Sequence, residues 1–165
     1  MIPAILSAYE MISKHVFAAI MQNNNNGEKS LHASAFFDAG EVISDFTAEK
    51  IFTTASYLTV QTGDDKHITL QPEFLQYINH SCNPNVFFDT TTMQLIALQA
   101  IQPGDELMFF YPSTEWEMAQ PFDCFCGTTQ CLQRIQGAAH LTDDEAMRYR
   151  LTNFIQQKIQ NRTAK

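Results

Sequence analysis

Residues 77–85 carry the sequence YINHSCNPN, which places an imidazole and a thiol among residues that favour turns. Asparagine, serine and proline are common in turns because they bond to nearby backbone groups or fix a backbone dihedral angle. The stretch is therefore expected to form a loop that carries His80 and Cys82.

Cys82 has its possible partners downstream, in the segment CFCGTTQC. That segment holds Cys124, Cys126 and Cys131 in a C-x-C-x4-C spacing that lets the thiolates face one point. Soft sulfur suits zinc, and a structural zinc site takes four ligands. Four thiolates would use every cysteine in the chain, so the count favours one zinc site. A reactive thiol or a disulfide is the alternative, which the absence of any sign of secretion makes less favoured.

Several segments of the chain together resemble one known family. Residues 79–85, NHSCNPN, resemble the NHSCxPN signature of SET-domain methyltransferases, and residues 104–111, GDELMFFY, resemble the segment that follows it. The cysteine cluster resembles the family's post-SET zinc motif, and residues 39–43, AGEVI, resemble an early turn of the domain. These segments occur in the family's order, and the resemblance covers residues 28–135.

The resemblance implies a mainly β fold with few helices, in which small curved sheets surround a pseudoknot and a C-terminal helix follows. Short apolar runs broken by turn residues also favour a β-dominated domain. The implied organisation is a flanking segment over residues 1–27 that packs on the domain, a SET domain over 28–113, a post-SET zinc segment over 114–137 and the helix over 138–165.

Local patterns predict further elements. Residues 4–13 favour a short helix, and residues 57–61 and 106–111 favour strands. Turn signals at residues 23–27 and 62–65 indicate that each joins two strands.

The tail predicts one continuous helix. Thr142 and Glu145 have the spacing of a capping box, in which each side chain bonds a backbone N–H of the other residue. The apolar residues that follow share one helical face: Met147, Leu151, Phe154, Ile155 and Ile159. This face is expected to pack against the domain. A dimer contact or a lid is the alternative, and the oligomeric state stays open.

Size and charge limit the possible functions. The chain has 165 residues, 45% of them hydrophobic, which suits one compact domain. Its net charge of −8 argues against direct nucleic-acid binding and suits a lysine-rich protein partner, although surplus charge also simply keeps proteins soluble. No apolar run has the length of a membrane span and the positive start of a signal peptide is missing. We therefore expect an intracellular protein, cytoplasmic or nuclear.

The resemblance implies that Asn79 and His80 hold S-adenosylmethionine, with Tyr77 preceding them. It also implies that Leu132, just after the zinc motif, touches the adenine. For His80 the alternative is a buried, hydrogen-bonded structural histidine.

The early part of the cofactor site departs from the family pattern. Lys29, Ser30 and Leu31 stand where the family has a glycine-rich loop. Ser30 is small enough to replace a glycine, and Lys29 would meet the cofactor carboxylate. A plain strand with a defective cofactor site is the alternative.

Tyr111 matches the family's catalytic tyrosine, and the resemblance also implies that it contacts the cofactor beside its methyl group. A lysine ammonium, with a pKa of about 10.4, has no lone pair and must lose a proton before it can accept a methyl group. A phenol hydroxyl can orient the resulting amine without being a strong base. Phe109 and Phe46 match aromatic positions of the substrate channel, where phenylalanine in place of tyrosine is associated with di- and trimethylation. For Tyr111 the alternative is a strand-end residue that caps the core.

The resemblance therefore implies a protein-lysine methyltransferase that uses S-adenosylmethionine and a structural zinc ion. Its substrate would be a basic segment of another protein, with histones a common target in the family. A non-catalytic module that binds basic peptides is the main alternative. A thiol-redox enzyme or cysteine protease using Cys82 and His80 is a distant third, because residues two apart on one loop rarely form a positioned dyad.

Overall fold

The chain folds mainly into short strands, as expected. The computed structural model describes residues 8–163. The strands in this part of the chain are β1 Tyr9–Lys14, β2 Ala18–Asn23, β3 Lys29–Ala33, β4 Val42–Asp45, β5 Thr47–Phe52, β6 Val60–Gly63, β7 Lys66–Gln71, β8 Asn79–His80, β9 Val86–Asp89, β10 Gln94–Ala97, β11 Met108–Phe109, β12 Phe122–Asp123 and β13 Arg134–Ile135. The helices are three 3-10 turns, Glu73–Tyr77, Tyr111–Ser113 and Ala138–His140, and two α-helices, α1 Asp143–Met147 and α2 Asn153–Thr163.

The strands between residues 8 and 163 form five small sheets. Three of them have three antiparallel strands, in the orders β1-β2-β3, β4-β10-β9 and β5-β7-β6. β12 and β13 form an antiparallel pair, and β8 and β11 form a parallel pair. Sheets of this size bury little surface alone, so they depend on a shared core. That core draws on most of the sheets and includes Leu31, Ile68, Phe88 and Leu95.

The parallel pair brings together the two motifs that carry the resemblance. Met108 lies opposite Asn79, and Phe109 lies opposite His80. The Ser81 N–H donates to the Phe109 carbonyl, and Asn85 exchanges hydrogen bonds with the backbone of Met108. The loop at residues 77–85 is thereby held against the segment that ends at Tyr111.

The helix predicted over residues 4–13 is wrong for the part that the structure describes. Residues 9–14 form β1, which pairs with β2, and residues 4–7 lie outside the described range. Weak helix propensity gives way here to backbone pairing with a neighbouring strand. The predicted turns are confirmed: residues 24–26 join β2 to β3, and β6 and β7 form a hairpin around residues 64–65.

Two predicted strands are shorter than expected. The strand predicted at 57–61 begins only at Val60, because Ser56 and Thr59 bond to each other in a turn. The strand predicted at 106–111 contracts to Met108–Phe109. Pro112 has no N–H to continue a ladder, and the chain turns into a 3-10 helix at Tyr111.

The continuous C-terminal helix was also wrong, although its capping box is present at Thr142 and Glu145. The chain forms α1 and α2, separated by residues 148–152. Thr152 caps the second helix by accepting the Ile155 N–H. Met147 is 84% exposed rather than part of an apolar face.

The interruption between α1 and α2 lets the C-terminal segment pack against the domain. Tyr149, in the linker between α1 and α2, stacks on Phe110 at 3.6 Å between ring centroids. Leu151 and Ile155 are buried in the same cluster, so the tail packs on the domain as expected. Among residues 8–163, no helix combines the length and apolarity needed to cross a bilayer.

Candidate active site

The four cysteine side chains meet at one point. The sulfur atoms of Cys82, Cys124, Cys126 and Cys131 all lie within 4.8 Å of one another, and none is in a disulfide. Sulfurs bound tetrahedrally to zinc at 2.3 Å would be about 3.8 Å apart, which this cluster can reach with small adjustments. The donor set therefore fits a structural zinc ion. The cluster joins the loop at residues 77–85 to the segment at residues 124–131, across about forty residues of sequence, as the cysteine count predicted.

The Cys82 sulfur accepts two further hydrogen bonds. The His80 Nε2 and the Leu132 backbone N–H each lie 3.4 Å from it. Such donors orient a thiolate and offset part of its negative charge, which is the usual role of groups just outside a metal's ligands. Burial raises the pKa of the Cys82 thiol above its ordinary range and that of Cys124 to about 11.

The structure gives His80 a structural environment rather than a place in the main cavity. Its Nδ1 accepts the backbone N–H of Tyr111 at 3.1 Å, so Nε2 must carry the proton that reaches Cys82. Its ring contacts the rings of Phe110, Tyr111 and Phe122. Burial lowers the pKa of His80 to about 4, which keeps the ring neutral. His80 is thus a half-buried, hydrogen-bonded residue, and its contact with the cofactor stays a prediction.

A cavity of about 710 Å³ lies beside the cysteine cluster and has Tyr111 in its wall. Its volume is in the range of cofactor and substrate sites. We call it the Tyr111 cavity. Its lining comes from four parts of the chain: residues 27–29, 56–60, 75–79 and 118–122, together with Leu70, Phe88, Phe109, Tyr111 and Glu115.

Tyr111 is surrounded by aromatic rings and carboxylates. Its ring meets those of Phe109 and His80, with centroids 4.7 and 5.2 Å away. Burial, with the charges of Glu106 and Glu115, raises the pKa of Tyr111 to about 12. The hydroxyl therefore stays protonated near neutral pH. It can donate or accept hydrogen bonds in the cavity but is unsuited to act as a base.

Four of the predicted cofactor residues line the cavity. These are Lys29, Tyr77, Asn79 and Tyr111. The Lys29 ammonium lies 5.6 Å from the centre of the Tyr77 ring. The Asn79 amide donates to the Lys29 carbonyl at 2.9 Å and to Glu106 at 3.3 Å, which ties the start of β3 to the 77–85 loop.

Three other predicted cofactor residues are not among the described residues that line the cavity. Leu31 is fully buried in the core, and the buried Ser30 hydroxyl is 2.8 Å from the His32 ring. Leu132 packs on the cysteine side and offers its backbone N–H to Cys82. Gly27, with a φ of +75°, lines the cavity and is the glycine available for close backbone approach.

The two predicted substrate-channel residues, Phe109 and Phe46, lie in different places. Phe109 lines the cavity, whereas Phe46 is buried behind it and is not among the described lining residues. Phe46 packs edge-on against Phe88 at 5.4 Å, and it is Phe88 that reaches the cavity. The wall is still aromatic, but Phe88 takes the position expected for Phe46.

Sequence reasoning missed three residues of this site: Phe88, Glu115 and Tyr149. Glu115 is a buried carboxyl in the cavity wall, and burial raises its pKa to about 7 despite hydrogen bonds from Thr114 and Gln61. The Tyr149 hydroxyl donates to the Cys82 carbonyl at 2.7 Å, and the Gln130 amide donates to the same carbonyl. In the sequence, the only sign that Glu115 belongs to the site is that it lies four residues after Tyr111.

These features place the chain in a known family. The SET domain family model matches residues 28–112, more than half of the chain. The chain belongs to the SET-domain family.

Its relatives carry methyltransferase names. It is 40% identical over 119 residues to methyltransferase flvH of Aspergillus flavus, a match that covers 71% of this chain and 66% of that protein. It is 32% identical over 87 residues to the H3 lysine-36 specific histone-lysine N-methyltransferase of Aspergillus fumigatus, covering 49% of this chain and 9% of that protein. The chain thus spans slightly less than two thirds of the first relative and a small part of the second.

The fold has solved counterparts. A crystal structure of KRYPTONITE with mCHH DNA, an H3 peptide and SAH matches 74% of this chain and 30% of that chain, with a TM-score of 0.54 and 20% identity. A second KRYPTONITE structure, with mCHG DNA and SAH, covers 68% of this chain and 27% of that chain, with a TM-score of 0.53 and 21% identity. At this identity the likeness concerns the fold.

Proposed function

We propose that this chain is an S-adenosylmethionine-dependent protein-lysine N-methyltransferase. The observation that carries the proposal is the cavity lined by Tyr111, Phe88 and Phe109, which shares Tyr111 with the packing around the four-cysteine cluster. The match to the SET domain family and the methyltransferase names of its relatives support the same reaction.

The cofactor end of the cavity is assigned to residues 27–29 and 77–79. The Lys29 ammonium would pair with the cofactor's carboxylate, and the Tyr77 ring would pack beside it. The backbone around Gly27 and Asn79 would supply the remaining polar contacts. The cavity's volume and mixed lining fit a nucleoside-amino acid conjugate of this size.

The reacting end is assigned to Tyr111, Phe109 and Phe88. When bound, S-adenosylmethionine supplies an electrophilic methyl group, whose carbon–sulfur electron pair returns to sulfur as the amine nitrogen bonds the carbon. The apolar rings disfavour the charged form of a lysine and so assist its loss of a proton to water. The neutral Tyr111 hydroxyl accepts a hydrogen bond from the amine and directs its lone pair toward the methyl group. Most of the acceleration then comes from positioning.

The cysteine cluster is proposed to hold zinc in a structural role. Cys82, Cys124, Cys126 and Cys131 would be its ligands, and their bridge fixes the residue 77–85 loop against the segment that closes the cavity at Phe122. Reduced thiols at such a site suit an intracellular location, cytoplasmic or nuclear.

We propose a basic segment of another protein as substrate, and histones among the candidates. The net charge of −8 favours encounter with lysine-rich segments. Relatives named as H3 lysine-36 specific enzymes and a fold neighbour solved with an H3 peptide make histone H3 the first substrate to test.

The product is proposed to carry more than one methyl group, because Phe88 and Phe109 carry no hydroxyl and so add no second polar contact to the amine beside that of Tyr111. Phe109→Tyr should shift the product towards monomethyl-lysine, read by mass spectrometry at saturating enzyme. Phe52→Tyr, a change at an exposed phenylalanine outside the cavity lining, is the matched control. A wild-type enzyme that stops at monomethyl-lysine would refute the multiplicity and leave the reaction class intact.

The reaction class is tested by labelling. Zinc-loaded protein and methyl-labelled S-adenosylmethionine are incubated with histone H3 and a basic peptide library, and Tyr111→Phe is run in parallel. Transfer by the wild type, strongly reduced in the variant, supports the proposal. Binding of S-adenosylmethionine without transfer to any lysine peptide contradicts it. Lysine-peptide binding without cofactor binding would instead indicate a peptide-binding module.

A further inference from the structure

The wall of the Tyr111 cavity contains one carboxyl that the proposed chemistry does not use. Glu115 is 8% exposed and lines the cavity. It lies on the stretch that follows Tyr111, and its backbone N–H donates to the Tyr111 carbonyl at 3.1 Å. The charge of Glu115 also contributes to the raised pKa of Tyr111, so the carboxyl lies near the Tyr111 side chain.

Only one oxygen of this carboxyl is engaged. Oε2 accepts the Gln61 backbone N–H at 2.9 Å and the Thr114 hydroxyl at 2.6 Å. The Gln61 side-chain oxygen accepts the Trp116 N–H in return, so β6 and this stretch hold each other in place. Within residues 8–163, no hydrogen bond or ion pair occupies Oε1.

A carboxylate in this position lacks a cation. The cavity that Glu115 lines is also lined by Val60, Phe88 and Phe109, which do not offset a negative charge. Lys29 is the one cationic side chain among the described lining residues, and it forms no ion pair with Glu115. Burying an unpaired charge is costly, and the pKa of Glu115 is accordingly raised to about 7. A cation that entered the cavity beside Glu115 would offset that cost and favour the ionised carboxylate.

We propose that the free oxygen of Glu115 receives the ammonium group of the substrate lysine as it enters the Tyr111 cavity. This inference rests on the proposed function and adds the residue that selects a cationic side chain. The apolar rings bind the methylene chain of lysine, and the carboxylate binds its charged end. A neutral side chain of the same length would gain only the first of these contacts.

The carboxylate also explains how an apolar channel admits a charged group at all. Rings alone would exclude the ammonium, which would lose its water without compensation. A hydrogen-bonded carboxylate replaces that water. Because only Oε2 is used structurally, the receptor oxygen is held rigidly and needs no rearrangement to bind.

The test compares Glu115→Gln with the wild type by NMR titration of zinc-loaded protein. The probes are Nα-acetyl-lysine methylamide and its norleucine counterpart, which keeps the four-carbon chain and lacks the ammonium. Glutamine can still accept from Gln61 and Thr114, so the wall should keep its shape. Glu117→Gln is the matched control, because Glu117 is an exposed carboxylate on the same segment and does not line the cavity.

The wild type and Glu117→Gln should prefer the lysine probe by about tenfold, the value of one charged hydrogen bond. Glu115→Gln should abolish that preference while leaving norleucine and S-adenosylmethionine affinity unchanged. An unchanged lysine preference, an equal loss for both probes, or a loss confined to S-adenosylmethionine would overturn the inference. Because the readout needs no methyl transfer, failure of the proposed reaction would appear separately in the labelling experiment.

Discussion

The wall of the Tyr111 cavity formed by residues 109–122 is tied to distant parts of the chain by side chains, whereas the wall formed by residues 27–29 and 56–60 is held mostly by its own backbone. We call them the carboxyl wall and the amino wall. In the carboxyl wall, His80 bonds the Tyr111 backbone, and Glu115 bonds the Gln61 backbone. Tyr111 and Glu115 therefore each have a side-chain cross-link to a distant part of the chain.

The amino wall has fewer ties. Gly27 closes a local turn by bonding Asn23, and Thr59 bonds Ser56 three residues away. The contacts that reach it from distant described residues are the 2.9 Å bond from the Asn79 amide to the Lys29 carbonyl and the Tyr77 ring beside the Lys29 ammonium. The two walls therefore differ in how firmly their residues are held: the side chains next to the proposed site of methyl transfer are held by bonds to distant parts of the chain. Substitutions in the carboxyl wall should therefore have larger effects on catalysis than substitutions in the amino wall.

The largest effect is expected from Cys82→Ser, which removes one member of the cluster on which the carboxyl wall rests. A three-thiol site binds zinc more weakly, and metal binding contributes directly to the stability of the joined segments. We expect the zinc content to fall from about one ion per chain, the tail to lose protection from hydrogen exchange, and transfer activity to vanish. Asn83→Ser, an exposed neighbour on the same loop, should change none of these. A Cys82 variant with full zinc content and activity would refute the cross-link's role.

Tyr111→Phe should have the next largest effect. The aromatic packing with Phe109 and His80 is kept, so the melting temperature should change little. Loss of the hydroxyl should lower kcat by about a hundredfold, as for removal of one positioned hydrogen-bonding group. Because the pKa of Tyr111 is about 12, the wild-type rate should show no tyrosine ionisation between pH 7 and 9. A pH profile of kcat that tracks a phenol in this range would contradict the assignment.

The carboxyl wall was also the more predictable part of the site. The four cysteines could be joined on count alone, and the loop at residues 77–85 could be placed beside Tyr111 through the family resemblance. The cysteines and this loop are recognisable because few residue types can bind zinc or form such a turn. The turns of the small sheets were predictable for a similar reason, because asparagine and glycine mark them locally.

What could not be predicted depends on contacts between distant residues. Phe46 and Phe88 are both buried phenylalanines that pack on each other, and only packing decides that Phe88 reaches the cavity. The helical pattern continued through residues 148–152, yet the chain breaks there to stack Tyr149 on Phe110. The role of His80 was ambiguous for the same reason, since its two hydrogen bonds come from residues 2 and 31 positions away.

Tyr149 allows a graded test of how the tail supports the carboxyl wall. Tyr149→Phe removes only the hydrogen bond to the Cys82 carbonyl and should cost about 1 kcal/mol of stability. Tyr149→Leu also removes the stacking on Phe110 and should cost about 1 kcal/mol more. Activity should fall severalfold in the same order, measured beside chemical denaturation. Met147→Leu, at an exposed position in α1, should leave both unchanged. Equal stability of both tyrosine variants and the wild type would show that the tail is not coupled to the site.

The smallest effect is expected in the amino wall, from Lys29→Met. The Lys29 side chain is exposed and lies over the Tyr77 ring, while its backbone carbonyl, which methionine retains, makes the bond to Asn79. The substitution therefore removes a charge without removing the cross-link. A solvent-exposed ion pair contributes less than about 1 kcal/mol, so KM for S-adenosylmethionine should rise by no more than about fivefold with kcat unchanged. The difference from wild type should shrink further as salt is added, because the lost contact is electrostatic.

Lys50→Met, on a strand away from the cavity, controls for the change in net charge. If Lys29→Met instead lowered kcat as much as Tyr111→Phe, the amino wall would be part of the machinery that positions the reacting atoms, and the contrast between the two walls would fail.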